Sequence, residues 1–314
     1  MSQRLFPNLA LTTVLLTIGL IIFGAVVRVT DSGLGCGNEW PLCDGRIVPP
    51  LDNLTAWIEW SHRLFATLIG LFGIAMLVVA VRAYRRQKPL VLTATVIAAG
   101  LFTLQSALGA LVVVLDLPPT MVTMHLGTAM LLLGALLLAA IAAWHKPQKI
   151  YGRDHVTMLA YITAALSLVI ILTGALVRGS GATLACTDWP LCNGQVLPEG
   201  ALETVHMMHR YAVVGLGLTL VMLVWYVYRT REDGMVRLLA AGALVAYLMQ
   251  AGVGAMYVFS SAAPFWGASH VGLAAVTWAL LVGVSAIDTL NSQTETVKSQ
   301  DKVWNPQSET ATLS

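Results

Sequence analysis

Apolar residues in this chain come in long unbroken stretches, set apart by short polar segments. Eight stretches stand out, at roughly 9–29, 56–81, 90–115, 120–144, 156–178, 203–228, 236–258 and 265–287. Each is close to or above the roughly 20 residues that a helix needs to cross the hydrocarbon core of a bilayer. Membrane barrel strands would alternate apolar and polar residues with a period of two, and these stretches do not. A bilayer offers no water to exposed backbone groups, so the stretches are predicted as helices, which satisfy their own. The expected fold class is an all-α integral membrane protein with eight transmembrane helices. Composition agrees: 57% of the 314 residues are hydrophobic and 11% are charged, outside the range of an ordinary soluble domain.

Charge then orients the chain. Eight spans put both termini on one side. With the N-terminus cytoplasmic, Arg4, Arg82, Arg85, Arg86, Lys88, Lys146, Lys149, Arg153, Arg229, Arg231, Arg237, Lys298 and Lys302 lie inside, which is 13 of the 18 Lys and Arg. Arg28, Arg46, Arg63, Arg178 and Arg210 fall at or near the outer face. This is the positive-inside bias of a multi-pass protein of the plasma membrane. A net charge of +2 gives no reason to expect a nucleic-acid partner. The run after Arg4 is long and no small-residue cleavage site follows it, so it reads as a first membrane helix rather than a signal peptide. Residues 289–314 are polar without apolar periodicity and are predicted to be a disordered cytoplasmic tail.

The pattern also repeats. GAVVRVTDSGLGCGNEWPLCDGRIVP (24–49) matches GALVRGSGATLACTDWPLCNGQVLP (174–198), EWSHR (59–63) matches HMMHR (206–210), QSALGALV (105–112) matches QAGVGAMY (250–257), and MHLGTA (124–129) matches SHVGLA (269–274). The chain is therefore two copies of a four-helix unit, residues 1–150 and 151–288. Each copy has an even number of helices, so both face the same way. Two tandem four-helix bundles related by a pseudo-twofold axis along the membrane normal are expected. Gly19, Gly24, Gly109, Gly174 and Gly254 are candidates for close helix approach, or simply for packing.

All four cysteines sit in the repeated loops, on the outer side where disulfides persist. Bridges Cys36–Cys43 and Cys186–Cys192 suit the spacing. Zinc is the rival, and usually takes a tighter C-x₂₋₄-C spacing. Of the seven histidines, His145 and His155 belong to a cytoplasmic loop and its edge, as solvated residues. The other five lie near the outer ends of the even-numbered spans: His62, His125, His206, His209 and His270. An ionisable residue at that depth points to function. Zinc or copper would want three or four ligands, more than either half offers. Two imidazoles facing one another across a four-helix bundle suit a haem iron. Two haem sites follow, His62 with His125 and His209 with His270. Arg28, Arg63, Arg178 and Arg210 are candidates for the haem propionates, against the alternative of interfacial snorkelling. Trp40 and Trp189 either pack on the porphyrin or anchor their loops in the interface.

At matched depth the main ionisable difference between the halves is at one position. Glu59 stands three residues before His62 on the same helix face, and its counterpart is His206. A carboxylate beside a haem can take a proton or stabilise positive charge in a reacting porphyrin substituent. The plainer alternative is a pair with Arg63, four residues on. The difference suggests that the first half does chemistry and the second passes electrons.

Taken together, the eight spans, the EWSHR, MHLG, HMMHR and SHVG motifs and the cysteine loops resemble the haem A synthase family over about residues 9–288. The resemblance implies an enzyme that oxidises the C8 methyl group of haem O to the formyl group of haem A, for cytochrome oxidase. It implies haem b on His209 and His270, haem O as substrate on His62 and His125, a functional glutamate at Glu59 and a functional cysteine pair at Cys36 and Cys43. Haem b would relay electrons to an unidentified acceptor, and water would be the nucleophile, with Glu59 taking protons or stabilising a cation. Partners would be the lipid membrane and, in the cell, haem O synthase and oxidase assembly factors. A b-type cytochrome that only transfers electrons and a haem transporter or chaperone are the alternatives. No role is assigned to His206.

Overall fold

The computed structural model of the protein describes residues 2–146 and 152–303, and these are all helical apart from loops and turns. The helices are α1 (Ser2–Val29), α2 (Leu54–Tyr84), α3 (Pro89–Val114), α4 (Pro119–Trp144), α5 (His155–Gly179), α6 (Ala201–Thr230), α7 (Gly234–Phe259) and α8 (Pro264–Val303). All eight contain a segment long and apolar enough to cross a membrane. The protein is a multi-pass membrane protein of the expected all-α class.

Local chemistry sets the boundaries. Three helices begin on a proline, Pro89, Pro119 and Pro264, whose missing N–H and fixed φ suit a first turn. Three others begin on a side-chain cap. Asn53 accepts from Ala56 N, Asp154 from Val156 N and Thr157 N, and Asp233 from Met235 N and Val236 N. Capped or hydrated ends let a helix run beyond the hydrocarbon, so α2 and α6 outrun their apolar stretches by a few residues.

The far end of the chain departs from expectation. The predicted disordered tail is helical at its start, because α8 continues to Val303. Asp288, Asn291 and Ser292 are buried. Asn291 donates to Asp233 at 3.0 Å, and its amide oxygen lies 2.8 Å from Nε2 of His145. His145 is thus tied into the fold rather than solvated, while His155 is exposed as anticipated. Hydropathy does not register such contacts, which is why α8 looked shorter. Lys149 and residues 304–314 lie outside the described residues.

Within each half the helices pack in a ring, α1–α2–α3–α4 and α5–α6–α7–α8. The halves meet where α1 and α4 face α8 and α5. Gly127 of α4 lies under Leu172 of α5, and Gly272 of α8 lies under Ile22 of α1. These two contacts are repeat equivalents of one another. Small residues let helices touch where lipid provides no hydrophobic drive, and exposed side chains such as Leu71, Ile74, Leu218 and Leu238 cover the outside.

There are two apolar cores, the first of which also takes in Ala275 and Trp278 of α8, and both concentrate at the end opposite the cysteine loops. One gathers Phe6, Met76, Met130 and Leu133, the other Leu220, Leu223, Val236 and Leu281. Beyond the second core lies a buried ion cluster. Arg231 is 2% exposed. Its Nε donates to Asp288 Oδ1 at 2.6 Å, and Nη1 and Nη2 donate to the two Asp154 oxygens at 2.7 Å each. Arg231, counted from the sequence among the inner-side cations, is therefore buried and paired. It clamps the start of α5 and the end of α6 to α8.

Candidate functional site

Toward the loop end of the bundles, one histidine of each even-numbered helix sits against a glycine of the helix before it. A Cβ on Gly24 would stand 3.1 Å from Cε1 of His62, on Gly109 3.1 Å from His125, on Gly174 3.1 Å from His209, and on Gly254 2.9 Å from His270. His62 and His209 lie eight residues into α2 and α6, and His125 and His270 six residues into α4 and α8. At 1.5 Å per residue all four are on the order of 10 Å from the helix ends. His62 and His125 are electrostatic neighbours, as are His209 and His270. The structure thus gives all four histidines the same kind of seat at matching depth. It also gives four of the five singled-out glycines a specific job, seating an imidazole; Gly19 meets nothing within 4 Å.

The polar surroundings of the rings differ between halves. Thr173 Oγ1 donates to Ile170 O at 2.8 Å and lies 2.9 Å from His209 Nδ1. With its hydrogen committed, that hydroxyl can only accept, so Nδ1 of His209 carries the proton. Nδ1 of His270 lies 3.1 Å from the Gln250 carbonyl, which likewise only accepts. Both rings therefore keep an unprotonated Nε2, the nitrogen that can bind a metal. In the first half, Nδ1 of His62 is buried and has no partner among the described residues. The Gln105 carbonyl lies beside Nδ1 of His125 but outside hydrogen-bond geometry, while the Gln105 amide nitrogen stands 3.2 Å from His125 Nε2.

Above the histidines lie the cysteine loops. Cys36 is bonded to Cys43 and Cys186 to Cys192, which removes the zinc alternative. Each second cysteine opens a tight hairpin, Cys-Asp-Gly-Arg (43–46) or Cys-Asn-Gly-Gln (192–195). Paired bonds join its ends, 2.8 and 3.0 Å in one loop and 2.9 Å twice in the other. Asp44, Gly45, Asn193 and Gly194 all have positive φ, the two-residue turn for which Asp-Gly and Asn-Gly are best suited. The first loop docks on α2 at Gly35, where a Cβ would strike the Thr55 backbone.

Glu59 lies beneath the first loop, 3% exposed. One carboxylate oxygen accepts from Cys36 N at 2.9 Å and the other from Arg63. Arg63 also donates to Leu42 O at 2.9 Å and Glu39 O at 3.2 Å. The plainer reading of Glu59 holds: it pairs with Arg63, and the pair supports the loop. In the second half Arg210 clamps Pro190 O at 3.2 Å and Leu191 O, and meets His206 Nε2 at 3.3 Å. Arg178 reaches across to the first half, 3.3 Å from Arg28 O and from Asp31. Arg63, Arg210 and Arg178 thus already have protein partners. Trp40 and Trp189 are half exposed on the loops.

These residues fit a haem in each half. Two imidazoles converge per bundle, each with no Cβ behind it, and the second pair is held in the tautomer that leaves Nε2 free. Among the described residues no group of three or more His, Cys, Asp or Glu could hold a metal ion. Sequence reasoning missed Thr173, Phe23 and the Arg231 cluster. The Asp-Gly and Asn-Gly turns were legible in the quoted repeat and could have been read.

Residues 7–282 match the model of the COX15-CtaA family, described as cytochrome oxidase assembly protein. Among similar proteins, one named Heme A synthase from Shouchella clausii is 35% identical over 253 residues, 77% of this chain and 82% of its own length. Another of that name, from Geobacillus thermodenitrificans, is 32% identical over 82% of this chain and 83% of its own. A third, from Symbiobacterium thermophilum, is 31% identical over 87% and 92%.

Proposed function

We propose that this chain, which belongs to the COX15-CtaA family of cytochrome oxidase assembly proteins, is a haem A synthase that oxidises the C8 methyl group of haem O to a formyl group. The observation that carries the reading is the pair of histidine pairs, one in each bundle, seated on glycines. The relatives named Heme A synthase give the chemistry. Haem O, the substrate, binds between His62 and His125, next to the carboxylate that the second half lacks. His209 and His270 would hold haem b, which would supply one-electron transfer there.

The protein's own groups do the following. Glu59 presents a buried carboxylate whose two oxygens are fixed by Cys36 N and Arg63. So oriented, it stabilises positive charge that develops on the oxidised substituent, and it needs no reorganisation to do so. The first cysteine loop holds Glu59 and covers the bundle end, and this shielding from bulk solvent raises the worth of that charge; the water that supplies the formyl oxygen must reach the site beneath the loop. Arg28, Arg63, Arg178 and Arg210 ring the loop end and offer guanidinium groups to propionates in addition to their protein contacts. The repeat-equivalent contacts of Gly127 and Gly272 support a pseudo-twofold relation between the halves, with its axis along the membrane normal. The charge bias supports cytoplasmic termini and outer cysteine loops in the plasma membrane. Haem O synthase and oxidase assembly factors are the natural partners, since one must deliver the substrate and the others take the product.

The test is pigment analysis. Purified protein should release haem b together with haem O, haem A or a hydroxylated intermediate, and cells lacking the protein should accumulate haem O. Protein carrying haem b alone, with no haem O build-up in the deletion strain, would leave an electron-transfer cytochrome instead.

A further inference from the structure

His62 and His209 are equivalent by the repeat, and their backbone settings match: each ring lies 3.1 Å from where a Cβ of Gly24 or Gly174 would be. Their polar settings do not match. The residue before Gly174 is Thr173, whose hydroxyl oxygen lies 2.9 Å from Nδ1 of His209, within hydrogen-bond distance. The residue before Gly24 is Phe23, whose ring stands edge-on to His62 with centroids 5.8 Å apart. Nδ1 of His62 is buried with no partner among the described residues. A second substitution points the same way. Thr277, 3.5 Å from the side-chain oxygen of Gln250, has Leu132 as its repeat equivalent. The Gln105 amide then rests on Nε2 of His125, the nitrogen an iron would need.

A hydrogen bond from the outer nitrogen of a ligating histidine fixes its tautomer and ring orientation and makes it a stronger ligand, typically by 10–100-fold in metal affinity. The second half has that support on both histidines; in the first half His62 has none, and His125 has only the Gln105 carbonyl, which lies beside it outside hydrogen-bond geometry. Resting on the function proposed above, we infer that Thr173 and Phe23 are positioning residues which set how long each bundle keeps its haem. Thr173 makes His209 a permanent axial ligand, and Phe23 leaves His62 a releasable one. A bundle whose haem arrives as substrate and departs as product needs the weaker grip, and a bundle with a resident cofactor needs the stronger.

The experiment compares full-length Thr173→Val, Thr173→Ser and Phe23→Thr with the native protein in detergent. Haem loss to excess apomyoglobin is followed for each pigment, and the haem b midpoint potential is titrated. Thr173→Val should speed haem b loss by roughly tenfold or more and raise the potential, because a less basic imidazole favours ferric iron less. Thr173→Ser should keep native values, since it retains the hydroxyl. Phe23→Thr should slow loss of the first-half pigment. Native rate and potential in Thr173→Val would overturn the inference, as would equal damage from Val and Ser, or unchanged loss in Phe23→Thr. Pigment identity is read separately by pyridine haemochrome spectra. Haem b in both bundles would sink the synthase reading while the exchange rates still decide the roles of Thr173 and Phe23.

Discussion

Glu59 and His206 occupy equivalent places, three residues before a histidine and one helical turn before an arginine, under a disulfide-closed loop. Their surroundings show what one substitution changes. In the first half the acidic side chain joins loop to helix: Cys36 N and Arg63 both donate to it. In the second, His206 accepts one contact from Arg210 at 3.3 Å, and the loop hangs on Arg210 through backbone carbonyls. The loops look alike and are closed alike, yet only the first is wired to a charge buried above a histidine pair. On the function proposed above, chemistry on a porphyrin edge uses such a charge, whereas electron transfer does not, and the proposed difference in duty rests on a few side chains.

The largest expected effect comes from removing that charge. Glu59→Gln keeps the shape and should lower haem A formation by about 100-fold, on the scale of other transition-state stabilisers, with both haems still bound in the visible spectrum. A native rate would break the comparison at its centre. Next is the support at the opposite end of the second half. Arg231→Met leaves Asp288, itself 1% exposed, without its cation, and losing one partner of a buried pair costs about 3–5 kcal/mol. A large drop in detergent melting temperature should follow. The first half offers a control: Lys88 donates to Ala142 O and Ala143 O at 3.2 and 3.0 Å near the surface, and Lys88→Met should cost about 1 kcal/mol or less.

The cysteine pairs should then separate the halves by a smaller margin. Replacing Cys36 and Cys43 by Ser frees the loop that donates to Glu59, and should cost about tenfold in haem A output, as for one hydrogen bond to a charged group. Replacing Cys186 and Cys192 should cost less. Equal losses would mean that the loops act only as staples. The smallest effect concerns pH. Hydrogen bonds from the Arg231 guanidinium hold the Asp154 carboxyl below its usual 3.8. Its stabilising contribution is therefore present above that value and is lost as pH falls below it. Thermal melts should be insensitive to this group at pH 6–8 and weaken below about pH 4, and Asp154→Asn should flatten that acid limb.

Much of this was legible in the chain. Eight apolar stretches gave the helices, and the repeat brought His62, His125, His209 and His270 to matching depth before any coordinates. What escaped were features that depend on a neighbour remote in sequence. Arg231 counted only toward the inner-side charge because its partners, Asp154 and Asp288, are remote in sequence. Asn291 belonged to a polar tail because His145 and Asp233, which hold it, are equally distant. Thr173 was one polar residue in an apolar span, and only the ring of His209 gives it meaning. Gly24 and its three relatives were visible as small residues but not as seats, since a seat requires the imidazole opposite. Periodicity reports which face is apolar and is silent on which polar atom finds another.

The seam between the halves has one last consequence. Gly127 under Leu172 and Gly272 under Ile22 are the same contact made twice, a joint that two separate four-helix chains could form equally well. Two identical chains, however, would have to carry the same side chain at both copies of every position. Glu59 could not then face a histidine at its twin, nor Phe23 a threonine. Joining the copies into one polypeptide lifts that restriction. The link between α4 and α5 thus does more than connect neighbouring helices: it permits two sites of common plan to become different.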